Sequence, residues 1–308
     1  MSRVPRSVVC AGLVTVDLVH VVDALPGPDE KVVGVAERIE VGGPAANAAR
    51  VAAALGLQVT VIAPFGQSPL TGFVRSALSG EGVEWIDPVA EQPNLSPMST
   101  VIVTRATGAR AVISGGAPPA ALATDRLADL AFDAVAGADA VLIDGHGGLL
   151  AGELARAGRA RRIPVLLDGG SHKPGMEAWL PQVDLALLSA DFRSPDGSDP
   201  LTWCLAAGAA MAAASAGPAS IRLRLGPTEQ TIAVPPAHQV VDTLGAGDVL
   251  HGAALAALAY ACDPSTYAAV LAFAAQVATA SVEFPGALGW ATDPSTLARV
   301  RGAIAALR

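Results

Sequence analysis

The chain has 308 residues, 52% of them hydrophobic and 16% charged, with a formal net charge of −8 and a sequence pI of about 5.1. This composition excludes a disordered chain, and the acidic balance argues against a nucleic-acid binder that works by neutralising phosphates. Aromatic residues are only 4%, so the core has to be packed from Ala, Val and Leu. A mean hydropathy of +0.46 raises the question of membrane spans. The two most apolar stretches, 201–217 and 264–282, are rich in small residues or interrupted by Gln276 and Ser281. A spanning helix needs about 20 mostly apolar residues dominated by larger side chains. Both stretches therefore read as buried helices, and no membrane partner is expected. The N-terminus shows no leader pattern. Cys10, Cys204 and Cys262 lie far apart in apolar surroundings and read as reduced core thiols of a cytoplasmic protein.

Residues 7–14 form an apolar, β-leaning run that predicts a core strand. Asp17, just beyond it, is the only acid among the first 22 residues. Residues 31–40 alternate apolar and polar side chains, the pattern of a half-exposed strand. Then Gly42-Gly43-Pro44-Ala45-Ala46-Asn47 opens a helix to about residue 55. Pro44 suits its first position, and the two glycines leave bare backbone for a close approach. Asn47 stands on an otherwise apolar helix and needs a partner, from a loop or from a ligand. Residues 59–64 predict a second core strand and 69–79 a helix. Residues 98–105 and 109–114 alternate around Ala106-Thr107-Gly108 and read as a hairpin, which with 31–40 builds a small separate sheet.

From residue 123 the rhythm becomes regular. Helices at about 124–131, 151–160, 174–180 and 199–215 alternate with strands at 138–144, 164–168, 185–188 and 220–225. That alternation predicts a mainly parallel sheet with helices on both faces. Ligands in such sheets sit beyond the carboxyl ends of the strands. Asp17 and His146 are candidates to touch substrate on that ground, with a solvated loop residue as the plain alternative for each. A helix over 264–283 and a last one from about 294 complete the chain.

The most informative stretch is Asp242-Thr243-Leu244-Gly245-Ala246-Gly247-Asp248, where an apolar run meets a small-residue turn and then a strongly helical segment. The first N–H groups of a helix lack intrahelical partners and carry partial positive charge. Small residues let a phosphate approach them closely. A carboxylate at Asp248 would repel that anion, but it is well placed to take a proton from a hydroxyl attacking the phosphorus.

This heptapeptide, together with residues 42–49, resembles the two signatures of the ribokinase-type (pfkB-type) carbohydrate kinases, nearest to their ketohexokinase-like and sulfofructose kinase-like branches. The resemblance implies a ribokinase-like three-layer α/β fold, a single kinase domain over residues 1–308, with lid strands from about 15–40 and 98–114. It implies ATP-dependent phosphorylation of a sugar hydroxyl, with Asp248 as base and Gly245, Ala246 and Gly247 holding the transferring phosphoryl group. Asp17, Gly42, Gly43 and Asn47 would hold the sugar, with His146 beside it. Ser189, Gly226, Thr243, Gly245 and Gly247 would line the nucleotide, and Mg2+ would accompany it. Asp242 and Gly286 would hold a monovalent cation such as K+, and the lid sheet would pair two copies into a homodimer.

Two segments depart from the family pattern. Ser189-Ala190-Asp191-Phe192 replaces the usual Asn-x-x-Glu, and Gly226-Pro227-Thr228-Glu229 keeps only the first glycine of a Gly-x-x-Gly turn. A nucleoside kinase, with Phe65, Phe73 or Trp85 stacking a base, and a non-catalytic sugar- or nucleotide-binding member are the alternative readings. No Gly-x-x-x-x-Gly-Lys-Ser/Thr loop and no zinc-type spacing occurs.

Overall fold

The computed structural model describes residues 6–93, 96–115, 124–261 and 263–307; the thiol expected at Cys262 lies outside them. The first half contains β1 (Ser7–Ala11), β2 (Thr15–Val22), β3 (Ala36–Gly42), α1 (Pro44–Ala54), β4 (Gln58–Ile62), α2 (Thr71–Gly80), β5 (Val83–Ile86), β6 (Met98–Thr104), β7 (Arg110–Ser114) and α3 (Thr124–Ala134). It is followed by β8 (Ala140–Asp144), α4 (Gly148–Arg161), β9 (Val165–Gly169), β10 (Leu185–Leu188), α5 (Pro200–Ala206), β11 (Met211–Ala216), β12 (Ala219–Leu225), β13 (Thr228–Ile232), α6 (Ala246–Leu258), α7 (Tyr267–Ser281) and α8 (Pro294–Ala305).

A nine-stranded sheet runs β13-β12-β11-β10-β9-β8-β1-β4-β5, and a separate four-stranded sheet runs β3-β2-β6-β7. In the large sheet every pairing from β11 through to β5 is parallel, while β12 and β13 add an antiparallel edge. The period-two alternation of strands divides the core. Val8, Cys10, Leu142, Leu166, Leu185 and Leu187 face a layer built from α1, α6, α7 and α8. Val9, Ala11, Ile143, Leu167, Ala186 and Leu188 face α3, α4 and α5. The result is the expected helix–sheet–helix sandwich. Both layers are rich in Ala, and burial pushes the Cys204 thiol up to about 12 and the Cys10 thiol up as well. Among the described residues no helix is long and apolar enough to cross a membrane.

Several expectations are corrected. Residues 199–215 are not one helix: α5 ends at Ala206, and residues 211–216 are strand β11. Gly208 stops the helix at φ +109°, where a β-carbon would meet Pro181 at 3.1 Å. The following Ala run then fills the sheet between β10 and β12, where burial on both faces overrides alanine's helix preference. Residues 174–180 form only single helical turns, Met176–Ala178 and Leu180–Gln182. The strand expected over 31–40 begins at Ala36, and strands β5 and β13 were not expected. The helix expected over 264–283 is a single turn, Pro264–Thr266, followed by α7. Asp17 lies within strand β2 of the small sheet, inside the stretch expected to be strand from about residue 15.

Candidate active site

The site begins with a buried staple. Asp144 ends β8 and is 1% exposed. Its Oδ2 accepts from the N–H groups of Leu13 (2.8 Å) and Ala45 (3.1 Å), and its Oδ1 accepts from His146 N–H (2.7 Å). One carboxylate thus fixes the β1–β2 turn and the start of α1 against the carboxyl end of β8. Gly12 makes room for it, since a β-carbon there would lie 2.0 Å from Asp144 Cγ. Gly43, at φ +98°, caps α1 where a β-carbon would strike Leu13 O at 2.3 Å. Asp17 Oδ1 accepts from Thr15 Oγ1 at 2.7 Å, and its carboxylate lies against the bare face of Gly42, 1.9 Å from where a β-carbon would stand. Burial raises the Asp17 carboxyl above its ordinary value, while Thr15 and Ser99 pull it back.

Helix α6 supplies the other half. Gly245 is its N-cap, at φ +75°, and a β-carbon there would press on Ala287 Cβ at 2.7 Å. Gly247, in the first turn, faces open space, with nothing within 4 Å of a β-carbon. Open space next to partly positive helix-start N–H groups is what an anion requires. The rest of α6 is buried from Val249 to Leu258, and Gly252 lets it close on α1: a β-carbon at 252 would lie 2.6 Å from Ala48 O. This approach brings the two sequence signatures together, because Asn47 Nδ2 donates to Asp248 Oδ2 at 2.7 Å. Burial raises the Asp248 carboxyl; the Asn47 hydrogen bond and the nearby His251 and Arg110 charges act in the opposite direction. Asp17 is near enough for Asp248 to raise it further.

The remaining candidates are dispersed around this centre. His146 is exposed at the mouth of β8. Ser189 follows β10 and its Oγ accepts from Asp191 N–H at 2.9 Å. Gly226 forms the exposed turn between β12 and β13, away from the strand ends that carry Asp144. Thr243 O accepts from Arg110 Nη1 of β7 at 3.1 Å. Asp242 is buried; Oδ1 accepts from Leu244 N–H (2.8 Å) and Oδ2 from Gly286 N–H (2.9 Å), with Arg38 Nη2 of β3 at 3.5 Å from Oδ2. A monovalent cation at Asp242 would therefore have to share a carboxylate whose two oxygens are engaged and which already faces a guanidinium. The inner face of the small sheet packs Val19, Val101 and Val103 on Leu244, next to the helix start.

Sequence reasoning missed Arg50, Arg110 and His251. His251 is 3% exposed, with Nδ1 2.7 Å from Gly247 O and Nε2 2.9 Å from Leu187 O. It also faces Asp168 Oδ2 at 3.4 Å, where burial pushes the Asp168 carboxyl up to about 7. The signal was a polar residue on an apolar helix, the same one that drew attention to Asn47. A cavity of about 420 Å³ opens by Pro235, Pro236, His238, Gln276, Thr279 and Ala280. From it the chain runs to Gly245 alongside the end of α7, with Val241 and Asp242 N–H bonded to Val282 O. A second cavity, of about 350 Å³ at Arg159, Arg162, Asp184 and Tyr267, borders the starts of β9 and β10, the end of the sheet away from Asp248.

No curated protein matches the chain. Among solved structures, ribokinase from Giardia lamblia superposes with a TM-score of 0.78 at 14% identity, covering 98% of each chain. Arabidopsis thaliana ribokinase complexed with ribose and ATP gives 0.73 at 21%, covering 97% of this chain and 99% of that one. Escherichia coli phosphofructokinase-2 in complex with potassium gives 0.72 at 18%, covering 98% and 100%. At these identities the likeness establishes the ribokinase-like fold. The description pfkB family carbohydrate kinase matches residues 5–292. With both signatures meeting at one site, the chain belongs to the pfkB family of carbohydrate kinases.

Proposed function

We propose that this chain transfers the terminal phosphoryl group of ATP to a hydroxyl of a sugar, with Asp248 as general base. The observation that carries the reading is the 2.7 Å contact of Asn47 with Asp248 beside the open face of Gly247. In the reaction, the alcohol proton passes to the Asp248 carboxylate, the alcohol oxygen bonds to phosphorus, and the bond from phosphorus to the β,γ-bridging oxygen breaks to leave ADP. The start of α6, at Gly245, Ala246 and Gly247, stabilises charge on the transferring group through its N–H groups and dipole. Asp17 and Asn47 hold the sugar in line. The base of ATP would occupy the cavity by Pro235 and Gln276, and its phosphates would extend along the chain that leads to Gly245. Magnesium would arrive on the ATP phosphates, its usual carrier. Bound there, it supplies neutralising charge. The Arg38 guanidinium beside Asp242 disfavours a monovalent cation there.

The nucleoside reading has less support. Of its three stacking candidates, Phe65 and Trp85 are core residues, 0% and 8% exposed, packed edge to face at 5.7 Å and so unavailable to stack a base, which leaves Phe73 on α2, 37% exposed. ADP release measured across ketoses, aldoses, acidic sugars and nucleosides tests the assignment. Release with a sugar, and a phosphosugar by mass spectrometry, supports it; no release with any acceptor leaves only a binding role. Asp17→Ala is expected to raise KM for the accepted sugar by about ten- to a hundred-fold, the worth of a hydrogen bond to a charged group, with a smaller change in KM for ATP. An unchanged sugar KM removes Asp17 from the site.

The homodimer reading rests on the lid. Register pairs Leu18 with Ile39 and Thr100, and Thr100 with Ile113, so these side chains share the outer face. Ile39 and Ile113 are 59% and 67% exposed there, and Met98 is 50% exposed. An apolar patch of this kind is characteristic of an interaction surface. Sedimentation is expected to show a dimer that Ile113→Glu converts to monomer; a monomeric wild-type chain sinks the reading.

A further inference from the structure

Resting on the reading of Asp248 as the base, we propose that Arg50 is a positioning residue that fixes the Asn47 amide, and through it the catalytic carboxylate. Arg50 lies one helical turn beyond Asn47 on α1, and its side chain is 12% exposed. Its guanidinium engages three neighbours at once. Nε and Nη2 form a forked pair with Glu81, with Nη2 to Oε1 at 2.7 Å. Nη1 donates to Val41 O at 2.8 Å, at the root of lid strand β3, and to Asn47 Oδ1 at 3.1 Å.

The last contact decides the orientation of the amide. An Asn side chain can rotate to exchange its oxygen and nitrogen. Only one orientation serves here: Oδ1 must face the arginine, which cannot accept, and Nδ2 must face the carboxylate, which when ionised cannot donate. The alternative would place oxygen against oxygen and N–H against N–H. The Glu81–Arg50 fork holds the guanidinium in one geometry, so the chain Glu81–Arg50–Asn47–Asp248 passes order from an exposed turn to the base. Arg50 has no direct contact with Asp248 and acts through Asn47. The other groups acting on the Asp248 charge are His251 on its own helix, Asp144 on β8 and Arg110 on β7. Asp17 and Asp168 feel Asp248 in turn, and Arg50 also lowers the Asp17 carboxyl.

The experiment is a double-mutant cycle in the full chain with Arg50→Met, Asn47→Ala and the pair, following kcat/KM for the accepted sugar against pH. Losing the Asn47 hydrogen bond removes an influence that lowers the Asp248 carboxyl. The acidic limb of the profile is therefore expected to move to higher pH in both single variants. We expect kcat to fall about ten- to a hundred-fold in each, as for misplaced catalytic groups, and Arg50→Met to add little once Asn47 is gone. Arg50→Lys, which keeps charge but not the fork, should recover only part of the loss. Multiplying losses, or an unmoved acidic limb in Arg50→Met, would overturn the proposal. If Arg50→Met fails to fold, Glu81→Gln loosens the fork from its exposed end and is expected to move the same limb in the same direction; an unmoved limb there overturns the proposal equally. If the wild-type chain transfers no phosphoryl group, the kinase reading fails separately. The Asn47 side-chain amide resonance then reports on Arg50 alone: it should shift and exchange faster in Arg50→Met, and an unchanged amide counts against the relay.

Discussion

Asp248→Asn is expected to lower kcat by about 10²–10⁴-fold, the range for removing a general base, which corresponds to about 3–5 kcal/mol of barrier. The substitution keeps the size of the side chain and an oxygen for Asn47 Nδ2 to donate to, so substrate KM should change far less than kcat. The pH dependence gives a second, independent signature. Asp248 works only as the carboxylate, and burial raises its proton affinity above that of an ordinary aspartate. Wild-type kcat/KM should therefore fall as pH drops through a value above 3.8, the ordinary carboxyl value. In Asp248→Asn, residual turnover should lack that limb, since no base remains to be protonated. Near-normal turnover, or the same acidic limb in the variant, would show that another group removes the proton.

Much of this site could be read from the chain because its chemistry is concentrated in short segments. Residues 42–47 and 242–248 carry glycines at conformations only glycine tolerates readily, and each segment is followed by an apolar helix, so the strand–turn–helix shape was written locally. Asn47 advertised its need for a partner, but whether a loop or a ligand would supply it depended on α1 meeting α6. The partner turned out to be Asp248, 201 residues away. The failures share a cause in tertiary context. Met211 to Ala216, within a stretch that reads as helix by propensity, becomes strand because both faces of the strand are covered in the sheet. In sequence Gly42 offers bare backbone to a ligand, whereas its open side in the structure holds the Asp17 carboxylate. Arg50 resembles any helix-surface cation in sequence; only the fold places Glu81, Val41 O and Asn47 around it.

Gly252→Val should disrupt the scaffold severely. A glycine inside a helix ordinarily costs about 0.5–1 kcal/mol relative to alanine, so adding a side chain in α6 would stabilise an isolated helix. Here the sign reverses, because a β-carbon at 252 would lie 2.6 Å from Ala48 O and 2.7 Å from Val51 Cβ. The first of these is backbone and cannot rotate away, so α1 and α6 must separate. Together with the two valine methyls, this overpacking is expected to cost about 3–5 kcal/mol, above the usual 1–3 for an inserted methylene because backbone has to move. Gly302→Val is the control: it also lies in a helix, but nothing stands within 4 Å of its β-carbon, so its denaturation midpoint should stay close to wild type. The functional consequence follows from position. Asn47 precedes Ala48, the residue struck, and Asp248 lies one turn before Gly252 on the opposing helix. Pushing the helices apart therefore lengthens the Asn47–Asp248 contact directly. At a temperature where the variant remains folded, kcat should fall along with stability, and the acidic limb of kcat/KM should shift to higher pH as Asp248 loses its donor. A variant destabilised as expected but with wild-type kcat and an unmoved limb would mean that the contact between the two signatures does not set the working state of the base.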